Sequence, residues 1–266
     1  MRNDIDSMSN CVSDRLEMNK WIGYSGTFGD HDGRTKAMQY IINAKAEPPE
    51  RMRHDVTLTD DNGWTMAMIW IIYIKTEPPE WMRHKVTLCD VHGWTMAMHW
   101  IQFVQTEPPE WMRHDIILGE KNKRTMAMTW IKYVKIEPPE WMRHDKTLAD
   151  SRGWTMSMYW ITFVKTDPPE WMRHDITLVD SKGRTMAMFW IEYVKTDPPA
   201  WMRHGITKKG GIWERTMAMI WVEYVKTEPP EWMRHDITVC DKDGDTMVDY
   251  WKNNLTIDPP EWMKTD

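Results

Sequence analysis

A pair of adjacent prolines returns along this chain with almost metronomic spacing. The pair begins at Pro48, Pro78, Pro108, Pro138, Pro168, Pro198, Pro229 and Pro259, thirty residues apart except for one step of thirty-one. Around it one sentence is repeated: Asp60-x-x-Gly63-x-Thr65-Met66-Ala67-Met68-x-Trp70-Ile71-x-Tyr73, then Thr76-Glu77-Pro78-Pro79-Glu80-Trp81-Met82-Arg83-His84. A fixed period of this size is the signature of a stacked repeat protein, in which each unit buries its apolar side against its neighbours. The expected product is an extended surface with no single dominant pocket.

Each unit carries its own folding instructions. From Thr65 to Lys75 apolar residues recur at three- and four-residue spacings, with Ala67, Ile71 and Ile74 on one stripe and Met66, Trp70 and Tyr73 beside it, which predicts a helix. Asp60-x-x-Gly63 has turn chemistry, and Thr65 is placed to cap the first amides. The prolines stop this helix, because the residue before a proline avoids the helical region, and they open a short second helix over Pro78 to His84. In Asp167-Pro168-Pro169-Glu170 the spacing is that of a capping box. Arg83 and its equivalents are expected to pair with Glu80, three residues earlier. Val86-Thr87-Leu88 reads as an extended connection, a finger or irregular strand.

The order of turn, helix, short second helix and extended return resembles the ankyrin repeat over residues 30 to 266, about nine tenths of the chain. Asp60, Gly63 and Thr65 match that family's turn and helix start. Its Thr-Pro-Leu-His is here Thr65-Met66-Ala67-Met68, its second helix is shortened, and the period is thirty residues instead of thirty-three. The resemblance implies an all-α fold, a helix-turn-helix solenoid with loop or short extended connections, and a protein-binding module without catalysis. The units start near 30, 60, 90, 120, 150, 180, 210 and 241, and residues 1–29, where Trp21 keeps the register, form a degenerate capping unit. At the far end Lys252-Asn253-Asn254 replaces Ile-x-Tyr, as suits a unit that meets water.

Comparison among units sorts core from surface. Positions that stay fixed meet the same neighbour each time and are expected inside; positions that vary are expected outside. After the turn glycine come Arg34, Trp64, Trp94, Arg124, Trp154, Arg184, Arg215 and Asp245, and within the helix one varying position reads Gln39, Ile69, His99, Thr129, Tyr159, Phe189, Ile220 and Tyr250. Trp64, Trp94, Lys123, Arg124, Arg152, Trp154, Lys182, Arg184 and Arg215, joined by Lys121, therefore suggest a basic, aromatic stripe, and Tyr159, Phe189 and Ile220 an apolar one. The competing reading is that these side chains only cover adjacent units. The unit after His204 carries the extra residue and reads Lys208-Lys209-Gly210-Gly211-Ile212-Trp213-Glu214-Arg215. Either it is a special loop presenting Trp213 or it is neutral drift.

Other chemistry is disfavoured. The histidines at 54, 84, 114, 144, 174, 204 and 235 recur once per unit, about 8–10 Å apart if units pack as helices do. Two of them cannot then share a metal ion with bonds near 2 Å, so a structural ladder of imidazoles bonding loop backbone is expected. Met66-x-Met68 suggests copper(I) by ligand type, but side chains two apart on a helix diverge. No phosphate loop, nucleophile elbow or lone carboxylate pair stands out, so no enzyme, metal or cofactor is expected. The net charge of −6 disfavours nucleic acid, although tryptophan beside arginine also suits single strands. The longest apolar run, Met66 to Ile74, is nine residues and too short for a membrane span. Three cysteines do not make a disulfide framework, which points to a reducing cytoplasm. The expected role is a protein-binding scaffold; the alternative is a structural part of a cytoskeletal or filament assembly, with its repeats matched to a repeating partner.

Overall fold

The computed structural model describes residues 31–114, 123–235 and 237–264. The degenerate capping segment 1–29 therefore lies outside the described residues, as does Lys121. Among the described residues the fold is all-α, a helical repeat of about thirty residues containing eight α-helices and no strand longer than an isolated bridge. The helices are α1 (Lys36–Ala44), α2 (Met66–Ile74), α3 (Met96–Phe103), α4 (Met126–Tyr133), α5 (Met156–Phe163), α6 (Met186–Tyr193), α7 (Met217–Tyr224) and α8 (Met247–Asn254). Two compact units result: Met1–Val134 with Pro138–Arg143, and Lys135–Glu137 with His144–Asp266. In the first, α1, α2, α3 and α4 pack in succession; in the second, α5, α6, α7 and α8 do. No helix is long and apolar enough to cross a membrane among the described residues.

Every helix starts on its threonine. Thr65 is extended (φ −78°, ψ 167°) and its hydroxyl accepts the Met68 amide at 3.3 Å, the cap expected from the sequence. At the other end Lys75 turns left-handed (φ 61°), as do Lys45, Gln105, Lys135, Lys165, Lys195 and Lys226. This conformation costs an L-residue about 1–2 kcal/mol, and the stack tolerates that cost after seven of the eight helices; the last ends on an extended Leu255 (φ −128°).

The second helix is much shorter than the sequence suggests. It is a single 3-10 turn, Glu80–Met82, held by Met82 N–H to Pro79 O at 2.9 Å and Arg83 N–H to Glu80 O at 3.1 Å. Pro79 leaves the helical region (ψ 148°), and neither proline has an amide to donate, so no longer ladder forms. Pro169 likewise precedes a 3-10 turn with no side-chain cap, so Asp167 closes no capping box. The expected extended connection is a turn around residues 86–87 followed by an isolated bridge, Cys89 to Thr95.

Asp167 and its equivalents instead tie one repeat to the next. Asp167 accepts Arg173 Nη2 from its own repeat at 3.0 Å and Trp201 Nε1 from the following repeat at 3.1 Å, while the Arg173 guanidinium lies 4.8 Å above the Trp201 ring. The same link joins Glu77, Arg83 and Trp111 in the first compact unit, at 2.7, 2.6 and 4.5 Å. Arg83 therefore pairs with Glu77, six residues earlier, and not with Glu80. Both groups are about two-fifths exposed, 36% and 44%, so the ion pair is weakly stabilising and the stacked ring adds about 0.5–1 kcal/mol.

Inside the stack the fixed apolar positions of each repeat's first helix and Met82 are buried as expected. The equally fixed Trp81 and Tyr73 are half-buried and Glu77, Glu80 and Arg83 are exposed, so constancy also marks the links between repeats at the surface. Ala67, Met68, Ile71 and Met82 have no exposure and Trp70 retains 8%. The Trp70 indole donates to Thr76 Oγ1 at 3.1 Å, and Trp100, Trp160, Trp190 and Trp221 find the equivalent threonine. Where Val222 is buried, Lys252 is exposed. Cys240 is a free thiol, whereas Cys89 is disulfide-bonded, so the cysteines are not uniformly idle.

Candidate protein-binding ridge

The turn before each helix is organised by one aspartate. Asp60 Oδ1 accepts the amides of Asn62 at 3.0 Å and Trp64 at 2.8 Å, and Asp90, Asp150, Asp180 and Asp241 do the same in their repeats. The bonds fold the intervening residues into a tip with a left-handed glycine at its end, such as Gly153 at φ 78°. Consecutive tips then bond to each other. Ser181 N–H donates to Arg152 O at 2.7 Å, Gly211 N–H to Lys182 O at 2.8 Å and Lys242 N–H to Trp213 O at 2.9 Å. The approach is close enough that a Cβ on Gly153 would stand 2.8 Å from Ser181 N. Each tip is thus a rung, and the side chains at its crest line up.

The aspartates are buried, and their second oxygen needs a partner. Asp150 Oδ2 receives Tyr159 Oη at 2.9 Å, Asp241 Oδ2 receives Tyr250 Oη at 2.8 Å, and Asp90 Oδ2 meets His99 Nε2 and Trp64 Nε1, both at 3.2 Å. Where the helix position is Phe189, Arg184 serves Asp180 instead at 2.9 Å. Asp60 has Ile69 at that position; its Oδ2 lacks a hydrogen bond, and burial raises its pKa above the ordinary carboxylate value.

This arrangement corrects the expectation that varying positions face outward. Tyr159 and Phe189 have no exposure, Ile220 retains 4% and Trp154 7%. Trp154 meets Phe189 edge-on at 4.9 Å and Tyr159 at 5.6 Å, so these residues come together as packing between repeats. They vary because different combinations satisfy the same buried carboxylate and fill the same gap. The apolar stripe is therefore interior, and the reading that such side chains cover adjacent repeats holds there.

The other candidates divide by exposure. Trp64 and Trp94 are half-buried against His99, at 6.1 and 5.6 Å between rings. Arg124 reaches over the Trp94 ring at 5.8 Å. Arg184 pairs with Asp180 and Glu192, and Arg215 with Glu223. Lys123 is exposed. Arg152 lies 4.1 Å over Trp154 and donates to Asp150, yet its side chain is 49% exposed. Lys182 is exposed and its side chain makes no hydrogen bond or ion pair among the described residues, and Trp213 is exposed at 47%. Beside it Ile212, at 61% exposure, was not singled out by the sequence comparison. The available signal was that the inserted residue puts two large apolar side chains side by side in the turn, where the other repeats hold at most one, Val91, before the glycine.

The histidines form the expected structural ladder, with one addition. His84 Nδ1 donates to Lys85 O at 3.0 Å, which leaves Nε2 to accept the Thr65 hydroxyl at 2.7 Å. His174 with Thr155 and His204 with Thr185 repeat it at 2.7 and 2.6 Å. Each imidazole is thus neutral and braces the threonine that caps its helix. Burial lowers the pKa of His84, His144, His174 and His204. Among the described residues no three His, Cys, Asp or Glu side chains gather as metal ligands.

No protein-family model matches the chain, and no curated protein matches it in sequence.

Proposed function

We propose that the protein is a non-catalytic interaction scaffold of ankyrin-like type, which engages another protein along the crests of its turns. The observation that carries this reading is the exposed pair Ile212 and Trp213 on a turn bonded to its neighbours on both sides. Contiguous exposed apolar surface marks contact sites, and tryptophan is a frequent binding anchor. In the second compact unit Arg152 and Lys182 extend this crest and the half-buried Arg184 and Arg215 brace it; in the first, the half-buried Trp64, Trp94 and Arg124 stand at the equivalent turns. The ankyrin resemblance supports the same surface, since that family binds through its turns and first helices.

The test is affinity capture from source cells with the wild-type chain and with the double variant Ile212→Ser, Trp213→Ala. A protein retained by the first and lost by the second, at equal melting temperature, supports the scaffold; identical capture by both removes the ridge from it. The reducing cytoplasm remains part of the proposal on cysteine number, and the disulfide at Cys89 weighs against it. Alkylation of the natively extracted protein decides, because a cytoplasmic chain yields three labelled cysteines.

A further inference from the structure

Resting on the scaffold reading, we propose that the ridge of the second compact unit takes an extended acidic peptide segment, with carboxylates over Arg152 and Lys182 and an apolar side chain on Ile212 and Trp213. The backbone bonds between tips set these residues in one order: Arg152 and Lys182 occupy successive rungs, and Trp213 the next. All four side chains are exposed. Lys182 has no acidic partner among the described residues, and Arg152 keeps its full charge beside Asp150 while using only Nε and Nη2. Its Nη1 donors are left for a ligand. The run ends at the following rung, where Lys242 is offset by the exposed Asp243.

Spacing supplies the register. Repeats packed at about 8–10 Å match one turn of a polyproline II chain, roughly three residues at about 3.1 Å each, which brings every third side chain to the same face. A ligand that places one side chain on each rung therefore carries an acid, another acid three positions on, and an apolar residue three beyond that. Charge complementarity selects a peptide of this polarity, since the first compact unit presents Asp32, Asn62 and His92, with no row of cations, on the three corresponding tips among its described residues.

The experiment uses the full chain and a fluorescein-labelled peptide, Glu-Gly-Ser-Glu-Gly-Ser-Leu, read by fluorescence anisotropy at low and moderate salt. The expected result is saturable binding that salt weakens, and that Trp213→Ala and Lys182→Glu each weaken at least tenfold while the helical melt is unchanged. Ile212→Ser and Lys182→Gln are the milder variants, expected to weaken binding severalfold should either stronger variant perturb the fold. Equal binding of a peptide with its two glutamates adjacent overturns the register, and tighter binding of an oligothymidylate overturns the ligand class. Failure of the peptide, while the ridge double variant still loses its captured cell protein, sinks this inference and leaves the scaffold standing. Failure in both assays sinks both.

Discussion

The two compact units have interiors of the same kind and differ at their crests. In the first, the Thr65–His84 and Thr95–His114 bonds are 2.7 and 2.8 Å; in the second, Thr155–His174 and Thr216–His235 are 2.7 and 2.8 Å. The tips are also joined alike, Val91 N–H to Asn62 O at 2.9 Å and Gly211 N–H to Lys182 O at 2.8 Å. Yet the crest of the first carries Asp32, Asn62 and His92, and that of the second Arg152, Lys182 and Trp213. The bonds between tips run through backbone, so they set position without restricting side chains. Stacking and the display of side chains at the crest are thereby assigned to different atoms.

The most disruptive way to challenge this comparison is through the interior. Trp70→Ala and Trp190→Ala are each expected to destabilise by about 3–5 kcal/mol, and by similar amounts, because both indoles are buried and bonded to a threonine. Urea unfolding followed by circular dichroism measures it, and markedly unequal losses would show that the interiors are not equivalent. Turn spacing comes next. Gly153→Ala strains a positive φ against neighbouring backbone and is expected to lower stability by about 1–3 kcal/mol, whereas Gly244→Ala, with nothing within 4 Å of its Cβ, should cost about 1 kcal/mol from conformation alone. Equal effects would mean that the tips are not tightly bonded.

The histidines give a distributed effect of the same sign in both units. Burial holds His84, His174 and His204 below the ordinary 6.5, so the unfolded chain takes up protons first. Stability present above about pH 6.5 is therefore lost as the pH falls below it. Melts between pH 7.5 and 5.5 should show this fall, and His84→Gln with His174→Gln should flatten it. The smallest expected stability change is at the crest: Trp213→Ala should shift unfolding by no more than about 0.5 kcal/mol, and a larger loss would make Trp213 part of the packing.

Much of the fold is legible because local chemistry repeats it. The thirty-residue period, the capping threonine, the turn aspartate and glycine, and the buried Trp70, Ile71 and Met82 follow from the residues at those positions. The second helix is misread because a proline pair starts a helix only when enough amides follow, and here Arg83 is already extended (ψ 136°). The link from Glu77 to Arg83 and Trp111 is hidden because its third member lies a whole repeat away. Within the candidate site the rule that variation marks surface holds for Lys182 and Trp213 and fails for Tyr159 and Phe189. Those two vary by exchanging a duty with Arg184 or with another ring, a trade visible only once the Asp150 and Asp180 carboxylates are located.

The acid and arginine of each link come from one repeat and the tryptophan from its successor. Recombination between copies that carry the tryptophan therefore joins matching halves; the first described repeat, with Arg51 at that position, is the exception. Genes of this kind can gain or lose a thirty-residue block in frame without creating an unmatched junction.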